Sequence, residues 1–501
     1  MASFYVENFG CRATQADGAA IERQFRDQGM RRALSPREAE LVVLNTCTVT
    51  ASADQDARAA IRRVHRENPG CQIIVTGCYA QRAPEEIAAL PGVTKVIGNS
   101  HKHQLAELTR PSTFVPLELL RSNNHELKTG EPSPPAKIYL SDIFAHTELL
   151  AAPVFDAANE RTRPNLKVQD GCDNRCSFCV IPSVRGQSRS LPLPQILNEL
   201  NNLVTAGYRE VVISGINLGR WGRDLPYGDT FEPNLEALIQ AILQKSSIEK
   251  LRISSVEPMD WSDELIGLMA SSPRLAKHAH VPMQSGSDAV LRRMHRKYRP
   301  WHYREKIEKI RTAIPTAAIG ADVMTGFPGE TDSEFEETRR MVEELPFSYL
   351  HVFTFSARPG TPAANMPKQV PVNIARERNG ILRDLAAQKK LAFMQGFVGK
   401  TLDAITLNLF DGQATEALTD NYLKLRLSGE HAPNNWVPTF IEDVQDGVLI
   451  ARPQTQSLVI ANAAFSCEES AVLSPRFISP RFGLRSDRTQ LVTILSASPS
   501  R

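Results

Sequence analysis

Residues 167–179 read Lys-Val-Gln-Asp-Gly-Cys-Asp-Asn-Arg-Cys-Ser-Phe-Cys. Cys172, Cys176 and Cys179 therefore have the spacing C-x3-C-x2-C, which lets one loop present three sulfurs to one metal centre. A closed structural zinc site needs four ligands, and neither a fourth Cys at zinc-finger spacing nor a His stands near this loop. A 4Fe–4S cluster normally takes four cysteines. Three would leave one iron open to a non-protein ligand, so the spacing favours a catalytic iron–sulfur cluster over zinc.

This loop resembles that of the radical S-adenosylmethionine enzymes, in which an aromatic residue precedes the last Cys, as Phe178 does here. In that family the open iron is chelated by the amino and carboxylate groups of S-adenosylmethionine. The resemblance implies a 4Fe–4S cluster on the three cysteines and S-adenosylmethionine as a cofactor.

Length and composition are those of an ordinary soluble chain. With 501 residues and domains of about 100–200 residues each, about three domains are expected. The hydrophobic fraction of 42% and the charged fraction of 23% are typical of globular proteins, and no apolar run approaches the roughly 18 residues of a membrane span. The N-terminus lacks the basic and apolar regions of a signal peptide. We therefore expect a cytoplasmic protein without membrane association.

Cysteine count and net charge narrow the function classes further. Eight cysteines are too few for a disulfide scaffold in a chain of this length. In a reducing compartment they indicate metal ligands, nucleophiles or core residues. The net charge of +2 provides no general attraction to nucleic acid, so a nucleic-acid surface would have to be a local patch.

Residues 1–110 alternate short apolar runs with helical periodicity, which predicts a parallel α/β sheet covered by helices. The predicted strands are 4–7, 41–44, 73–76 and 95–97, and the predicted helices are 16–28, 51–66 and 84–90. Cys11, Cys47 and Cys78 each follow the end of one strand. Ligands of open α/β sheets bind outside the carboxyl ends of the strands, so these cysteines indicate a second metal site, although free cysteines are also common core residues. Cys71 precedes its strand and is excluded.

A second α/β pattern begins at Asn165 and continues through six strand–helix units. Its predicted strands are 166–169, 210–214, 251–255, 278–282, 317–325 and 349–355. The pattern predicts a partial (β/α)6 barrel over 161–395, with chemistry at the carboxyl ends of the strands. The cysteine loop follows the first of these strands. The preceding segment 111–160 is predicted to be a linker or insertion.

Loops after the later barrel strands contain glycines and polar residues, which indicate a pocket for S-adenosylmethionine and its substrate. Each loop alone could equally be an ordinary turn, but the barrel brings them to one mouth. The candidate cofactor-binding residues are Ser214, Gly215, Glu257, Gln284, Ser285, Asp322 and Gly326.

A basic run follows the fourth barrel strand, with two aromatic residues close by. It fits either a solvated helix face or a nucleic-acid contact. Its members are Arg292, Arg293, Arg296, Lys297, Tyr298 and Trp301.

Residues 396–452 change character to closely spaced short strands with turn residues, which indicates a small β-barrel. The predicted strands are 401–407, 414–419, 422–427, 440–444 and 447–451. Lys424 and Arg426 are further candidates for RNA contact. Residues 453–501 lack periodicity and are predicted to be a mostly disordered tail, with Cys467 unassigned.

Taken together, residues 1–452 resemble the radical S-adenosylmethionine methylthiotransferases. That family joins an N-terminal α/β domain with an auxiliary 4Fe–4S cluster to a radical barrel and a small RNA-binding β-barrel called TRAM. The resemblance assigns the cysteines at 11, 47 and 78 to the auxiliary cluster and those at 172, 176 and 179 to the radical cluster. Within the family, the branch that acts on threonylcarbamoyladenosine in tRNA is the most similar, at segments 45–50, 77–81, 293–298, 356–363 and 419–422. Segments 111–160 and 453–501 follow no family pattern.

The resemblance implies that the protein adds a methylthio group to C2 of the modified adenosine at position 37 of tRNA. It implies two 4Fe–4S clusters, S-adenosylmethionine, an electron donor of the reductase or flavodoxin type, and a sulfur donor. No catalytic residue beyond the cluster ligands is expected, because the cofactors carry the chemistry. Two alternatives stay open: the same chemistry on isopentenyladenosine tRNA or a ribosomal protein, and a non-catalytic iron–sulfur RNA-binding redox sensor.

Overall fold

The computed structural model describes residues 2–110, 135–146, 149, 162–226 and 232–454. The predicted disordered tail lies outside these ranges from residue 455 onward, and so does Cys467. Among the described residues, no helix combines the length and the apolar composition that a membrane span requires.

The first part of the chain is a six-stranded parallel sheet with the strand order β2-β1-β3-β4-β5-β6. Its strands are β1 (Ser3–Asn8), β2 (Arg31–Arg32), β3 (Leu41–Thr46), β4 (Gln72–Gly77), β5 (Val93–Ile97) and β6 (Lys137–Tyr139). Its helices are α1 (Arg12–Asp27), α2 (Ala51–Glu67), α3 (Cys78–Arg82), α4 (Pro84–Ala88) and α5 (Leu105–Thr109). Every residue of β3 is buried, because alternate side chains enter opposite cores. Val43 belongs to the core of Phe4 and Phe25, whereas Leu44 belongs to the core of Ile61 and Val75.

Strand β6 extends this sheet beyond the predicted boundary at residue 110. It pairs in parallel with β5, from Lys95 opposite Lys137 to Ile97 opposite Tyr139. Residues 111–160 are predicted to be a linker or insertion, and β6 is local structure within that segment. The strand has three residues at the edge of the sheet, two of them exposed, so it lacks the apolar run that marks the central strands.

The second part contains six parallel strands in two three-stranded sheets, ordered β11-β10-β7 and β12-β13-β14. The strands of this part are β7 (Asn165–Lys167), β8 (Gln169–Asp170), β9 (Arg189–Ser190), β10 (Glu210–Ser214), β11 (Lys250–Ile253), β12 (His278–His280), β13 (Ala318–Thr325) and β14 (Tyr349–Thr354). Its helices are α6 (Ile181–Arg185), α7 (Leu193–Thr205), α8 (Leu235–Lys245), α9 (Asp263–Ser271), α10 (Asp288–Arg293), α11 (Pro300–Ala313), α12 (Asp332–Glu344) and α13 (Val372–Gln395). The six strands form the predicted partial barrel.

Local signals position the loops of this barrel. Helix α12 begins after Thr331, whose side chain accepts from the backbone of Glu334 in a capping box. One large core, which includes the fully buried Trp221 and Trp261, holds the strands against the helices. The carboxyl ends of the strands therefore form a fixed rim on which the loops stand.

The third part is a closed five-stranded barrel with the order β15-β16-β17-β19-β18. Its strands are β15 (Thr401–Phe410), β16 (Ala414–Thr419), β17 (Lys424–Ser428), β18 (Trp436–Gln445) and β19 (Val448–Pro453). Met394 and Phe397, at the end of α13, join its core. The predicted small β-barrel is present, and α13 ties it to the larger partial barrel.

Candidate active site

A cavity of about 640 Å³ lies at the carboxyl ends of the partial-barrel strands. Its wall combines Cys11 and Arg12 of the N-terminal sheet domain, loops of the partial barrel, and Tyr422 from the turn between β16 and β17. Asn217 also lines the cavity and donates from Nδ2 to the sulfur of Cys172 over 3.6 Å. The cavity therefore reaches one predicted cysteine triad directly and the other through one side chain.

The barrel triad, Cys172, Cys176 and Cys179, lies in the loop between β8 and α6. The backbone N–H of Asn174 donates to the Cys172 sulfur at 3.4 Å, and Nη1 of Arg296 donates to the Cys176 sulfur at 3.2 Å. Burial, followed by the neighbouring Cys176 and Cys172, raises the pKa of Cys179 to about 12. Thiols in such surroundings become ligands when a metal's positive charge favours the thiolate.

The auxiliary triad, Cys11, Cys47 and Cys78, is assembled by the sheet. Strands β1, β3 and β4 are adjacent and parallel, and each cysteine lies just beyond the carboxyl end of one of them. Burial, followed by Cys78 and Cys11, raises the pKa of Cys47 to about 12. Gly10 is needed beside it, because a Cβ there would lie 2.8 Å from the Cys47 sulfur. Burial also raises the pKa of Cys71, but none of the other cysteines that the structure describes contributes to that shift.

Both triads fit a multi-iron cluster better than a single ion. Among the described residues, the three ligand atoms that lie within 4.8 Å of one another belong to His280, Asp322 and His351, not to either triad. In neither triad, therefore, do all three sulfurs lie within 4.8 Å of one another. A 4Fe–4S cluster places its thiolates on separate irons. Each triad could therefore ligate three of the four irons, and hydrogen-bond donors lie near its sulfurs.

Several buried polar atoms on the cavity wall have no hydrogen-bond partner in the described part of the chain. They are Oγ of Ser214, Oδ1 of Asn217, Nδ1 of His278, Nε2 of His280 and Oε1 of Gln284. Buried polar groups in folded proteins are normally paired, so these atoms indicate a polar ligand. The amino, carboxylate, ribose and adenine groups of S-adenosylmethionine supply suitable donors and acceptors.

Five of the seven predicted cofactor-binding residues line this cavity: Ser214, Gly215, Glu257, Gln284 and Asp322. Ser285 and Gly326 do not. The hydroxyl of Ser285 lies 3.1 Å from that of Thr338 and accepts from the backbone N–H of Ser287. Gly326 has a φ of +75°, and a Cβ there would lie 2.4 Å from Ala375 of α13. In this structure the two residues shape their loops, and their contact with the cofactor stays a prediction.

The basic run after β12 separates into buried and exposed residues. Arg296 is 7% exposed and bonds the Cys176 sulfur and the Glu257 carboxylate. It therefore supports the cysteine loop and is not available to a phosphate, contrary to the prediction. Arg293 forms a two-fold ion pair with Glu334. The exposed candidates are Arg292, Lys297, Lys424 and Arg426, of which Arg292 pairs with Asp288 and Arg426 pairs with Asp411.

One wall of the cavity consists of histidines and tyrosines that sequence analysis did not identify. His278 and His280 alternate along β12 and so share a face. Nε2 of His278 lies 2.7 Å from the Tyr349 hydroxyl, and its ring lies 4.4 Å from that of Tyr422. Burial, followed by the charge of Arg252, holds the pKa of His278 well below its ordinary value. The H-x-H spacing within a predicted strand was the available signal.

The carboxylate of Asp322 lies beside two histidines of this wall, His280 and His351. Nδ1 of His351 lies 3.2 Å from the carboxylate and Nε2 of His280 lies 3.3 Å from it, although the latter lacks hydrogen-bond geometry. Ser255 lies 2.6 Å from the other ring nitrogen of His280. Burial opposes ionisation of Asp322, but the two histidines outweigh it and hold its pKa well below the usual range. Asp322 is therefore a carboxylate at neutral pH.

A buried charge network joins the two cysteine-bearing parts of the chain. Asp17 of α1 accepts from Lys102 at 2.9 Å, from Arg185 at 3.0 Å and from Lys167. Asp170 accepts from Lys167 and Arg185, each at 2.9 Å. All five side chains are at most 9% exposed. Because α1 begins beside the auxiliary triad and Asp170 borders the barrel triad, the network fixes the two triads relative to each other.

Comparison with known proteins gives two family matches. Residues 3–98 match the family described as Uncharacterized protein family UPF0004, and residues 166–342 match the Radical SAM superfamily.

Curated relatives cover most of the chain. It is 35% identical over 434 residues to the threonylcarbamoyladenosine tRNA methylthiotransferase MtaB of Bacillus subtilis, covering 86% of this chain and 91% of that protein. It is 33% identical over 412 residues to the tRNA-2-methylthio-N(6)-dimethylallyladenosine synthase of Agrobacterium fabrum, covering 80% and 86%. Among solved structures, the radical S-adenosylmethionine methyltransferase TsrM of Kitasatospora setae, with tryptophan substrate and aza-SAM bound, has a TM-score of 0.49 at 13% identity, covering 72% and 75%.

Proposed function

Since this chain belongs to the radical S-adenosylmethionine tRNA methylthiotransferases, we propose that it adds a methylthio group to C2 of N6-threonylcarbamoyladenosine at position 37 of tRNA. The proposal places one 4Fe–4S cluster on the barrel triad and a second on the auxiliary triad. The observation that carries it is the cavity that Cys11 lines and that Asn217 connects to Cys172. A reaction that uses both triads on one substrate needs this continuity.

The cofactors, when bound, supply the radical and sulfur-transfer chemistry that an unactivated aromatic carbon requires. The chain's own residues hold and orient them. Arg296 and Asn217 donate to sulfurs of the barrel triad, and Glu257 holds Arg296 in place. The unpaired polar atoms of the wall orient S-adenosylmethionine, and the three-part enclosure keeps water away from reactive species.

The choice of nucleoside rests on the cavity wall, because relatives of both substrate types match with similar identities of 35% and 33%. A threonylcarbamoyl group has a carboxylate, a hydroxyl and urea nitrogens, whereas a dimethylallyl group is a hydrocarbon. The wall presents Arg12, His278, His280 and His351. A hydrocarbon would offer no hydrogen-bond partner to Nδ1 of His278 and Nε2 of His280, which have none among the described residues, and no counter-charge to Arg12, which is unfavourable. The wall therefore supports threonylcarbamoyladenosine as the substrate.

The proposal also includes the partners of the reaction. The exposed Arg292, Lys297, Lys424 and Arg426 are proposed to contact tRNA phosphates. An electron donor of the reductase or flavodoxin type and a sulfur donor are required by the same chemistry. The family assignment makes the chain an enzyme, so the alternative of a non-catalytic redox sensor is set aside.

Nucleoside analysis of tRNA from cells with and without this protein tests the proposal. We expect 2-methylthio-N6-threonylcarbamoyladenosine to disappear when the gene is deleted and to return with the wild-type chain. A chain with the barrel triad replaced by Ala is the control and should not restore it. Loss of the 2-methylthio-isopentenyl nucleoside instead would overturn the substrate assignment.

A further inference from the structure

Arg12 is a cation on the cavity wall that has no carboxylate partner among the described residues. Its side-chain hydrogen bond is to the hydroxyl of Tyr422, at 3.5 Å. Two neighbouring guanidinium groups are in a different situation. Arg252 and Arg163 lie 2.6 Å and 3.6 Å from the buried carboxylate of Glu210. Of these three arginines, Arg12 is the one whose guanidinium lacks a carboxylate partner in the described part of the chain, so it is free to bind a ligand in the cavity.

The charges around Arg12 favour an anion as that partner. Arg12, Arg163 and Arg252 act together on His278, where their positive charges reinforce the effect of burial and lower the pKa of the ring. Glu210 is the carboxylate that contacts this group. Within the described residues, Arg12 is therefore left without a counter-charge beside two further cations, because Asp322, the carboxylate on the same wall, contacts His280 and His351 instead, and this favours an anion over a metal cation as the partner of Arg12.

The backbone conformation of Tyr422 indicates that its side chain has a functional role. Its φ is +70°, in the left-handed region that non-glycine residues rarely adopt. Such strain persists only where the surroundings enforce it, and it is common at ligand sites. Here Asn421 anchors the turn by donating to the backbone of Thr316 at 3.0 Å, and the Tyr422 ring packs on His278. The small β-barrel thereby delivers a hydroxyl into the cavity beside Arg12.

We propose that Arg12 and the Tyr422 hydroxyl bind the carboxylate of the threonylcarbamoyl group, an inference that rests on the proposed substrate. A guanidinium presents two parallel N–H groups that match the two oxygens of a carboxylate. Arg12 is next to Cys11 in the chain, so a carboxylate bound there lies close to the auxiliary triad. Arg12 thus discriminates threonylcarbamoyladenosine from nucleosides without an acidic group.

Binding of synthetic anticodon stem-loops to the full-length, anaerobically reconstituted protein tests this inference. Three RNAs are compared: one with threonylcarbamoyladenosine, one with its methyl ester and one with adenosine. Wild type should bind the acid about ten- to a hundred-fold more tightly than the ester, the usual effect of one charge-assisted hydrogen-bonded pair. Arg12→Gln should bind both equally, and Arg12→Lys should retain part of the difference because it keeps charge but not the fork.

Matched variants separate this effect from misfolding. Arg23→Gln alters the same helix at an exposed residue paired with Glu199 and should keep the wild-type ratio. Equal iron content in Arg12→Gln and wild type shows that the triads are intact, and Tyr422→Phe provides the same test if Arg12→Gln does not fold. If wild type prefers the acid and both Arg12→Gln and Tyr422→Phe retain that preference, the inference is wrong and the proposed function stands. If wild type neither prefers nor modifies the acid, the proposed function itself fails.

Discussion

Replacing Asp17 with Asn is the most direct test of the buried network between the two triads. Asp17 is 2% exposed and contacts Lys102, Lys167 and Arg185. The substitution keeps the shape but removes the carboxylate, which leaves Lys102 without its carboxylate partner and leaves Lys167 and Arg185 with Asp170 alone. Breaking a buried ion pair from one side typically costs about 3–5 kcal/mol, because a charge is left uncompensated. We expect a loss of that size in the free energy of unfolding.

The pH dependence of the same group gives an independent magnitude. Burial alone would raise the pKa of Asp17, but Lys102, Lys167 and Arg185 outweigh it and lower the pKa from 3.8 to about 2. Because the folded-state value lies below the unfolded one, this contribution is complete above about pH 4 and is lost as the pH falls through about 2. It corresponds to about 2 kcal/mol, less than the cost of the substitution because it reports protonation alone.

Urea unfolding at pH 7, followed by circular dichroism, measures the effect. The matched control is Asp263→Asn, whose carboxylate pairs with Lys309 on the exposed surface, where ion pairs contribute little. Asp17→Asn should lower the unfolding midpoint clearly and Asp263→Asn should not. Equal midpoints for the two variants would refute the argument that the network holds the domains together. Replacing Lys102 with Met in the Asp17→Asn background should recover part of the loss by removing one unpaired cation.

Three further outcomes are expected. The anaerobically reconstituted chain should hold two 4Fe–4S clusters. Replacing the barrel triad with Ala should remove one cluster, and replacing the auxiliary triad with Ala should remove the other. Cys71→Ala should keep full iron content, and loss of a cluster in this variant would contradict the strand-end geometry. The chain without the auxiliary triad should still cleave S-adenosylmethionine to 5′-deoxyadenosine but give no methylthiolated nucleoside, and methylthiolation by this variant would show that sulfur does not pass through the N-terminal domain. Lys297→Gln and Lys424→Gln should each flatten the slope of log tRNA affinity against log salt by roughly 0.7–0.9, whereas an unchanged slope would identify a merely solvated residue.

The cysteine positions could be predicted because each depends on a short-range pattern. Cys47 and Cys78 directly follow strands whose apolar runs are plain in the sequence, and parallel strands bring such positions to one edge. The barrel triad can be identified from the spacing of its cysteines alone. In both cases a local rule was sufficient, and no knowledge of long-range packing was needed.

The cavity wall could not be predicted in the same way, because it depends on contacts between distant segments. Arg12 and Tyr422 are 410 residues apart, yet their side chains meet. The sequence predicts an RNA contact for Arg296, because a basic run gives no sign of the Glu257 carboxylate and the Cys176 sulfur that lie beside this residue in the fold. Nothing in the run itself distinguishes that residue from the exposed Lys297.

The network around Asp17 also bears on how such chains can evolve. Asp17 and Lys102 come from the N-terminal sheet domain, whereas Lys167, Asp170 and Arg185 come from the partial barrel. A recombination event that exchanged one domain for that of a diverged relative would bring together halves of two different charge arrangements. The recombinant protein would have unpaired charges buried at the interface between the two domains, which would lower its stability from the start. The two domains are therefore expected to be inherited as a pair, with substitutions on one side of the interface followed by compensating ones on the other.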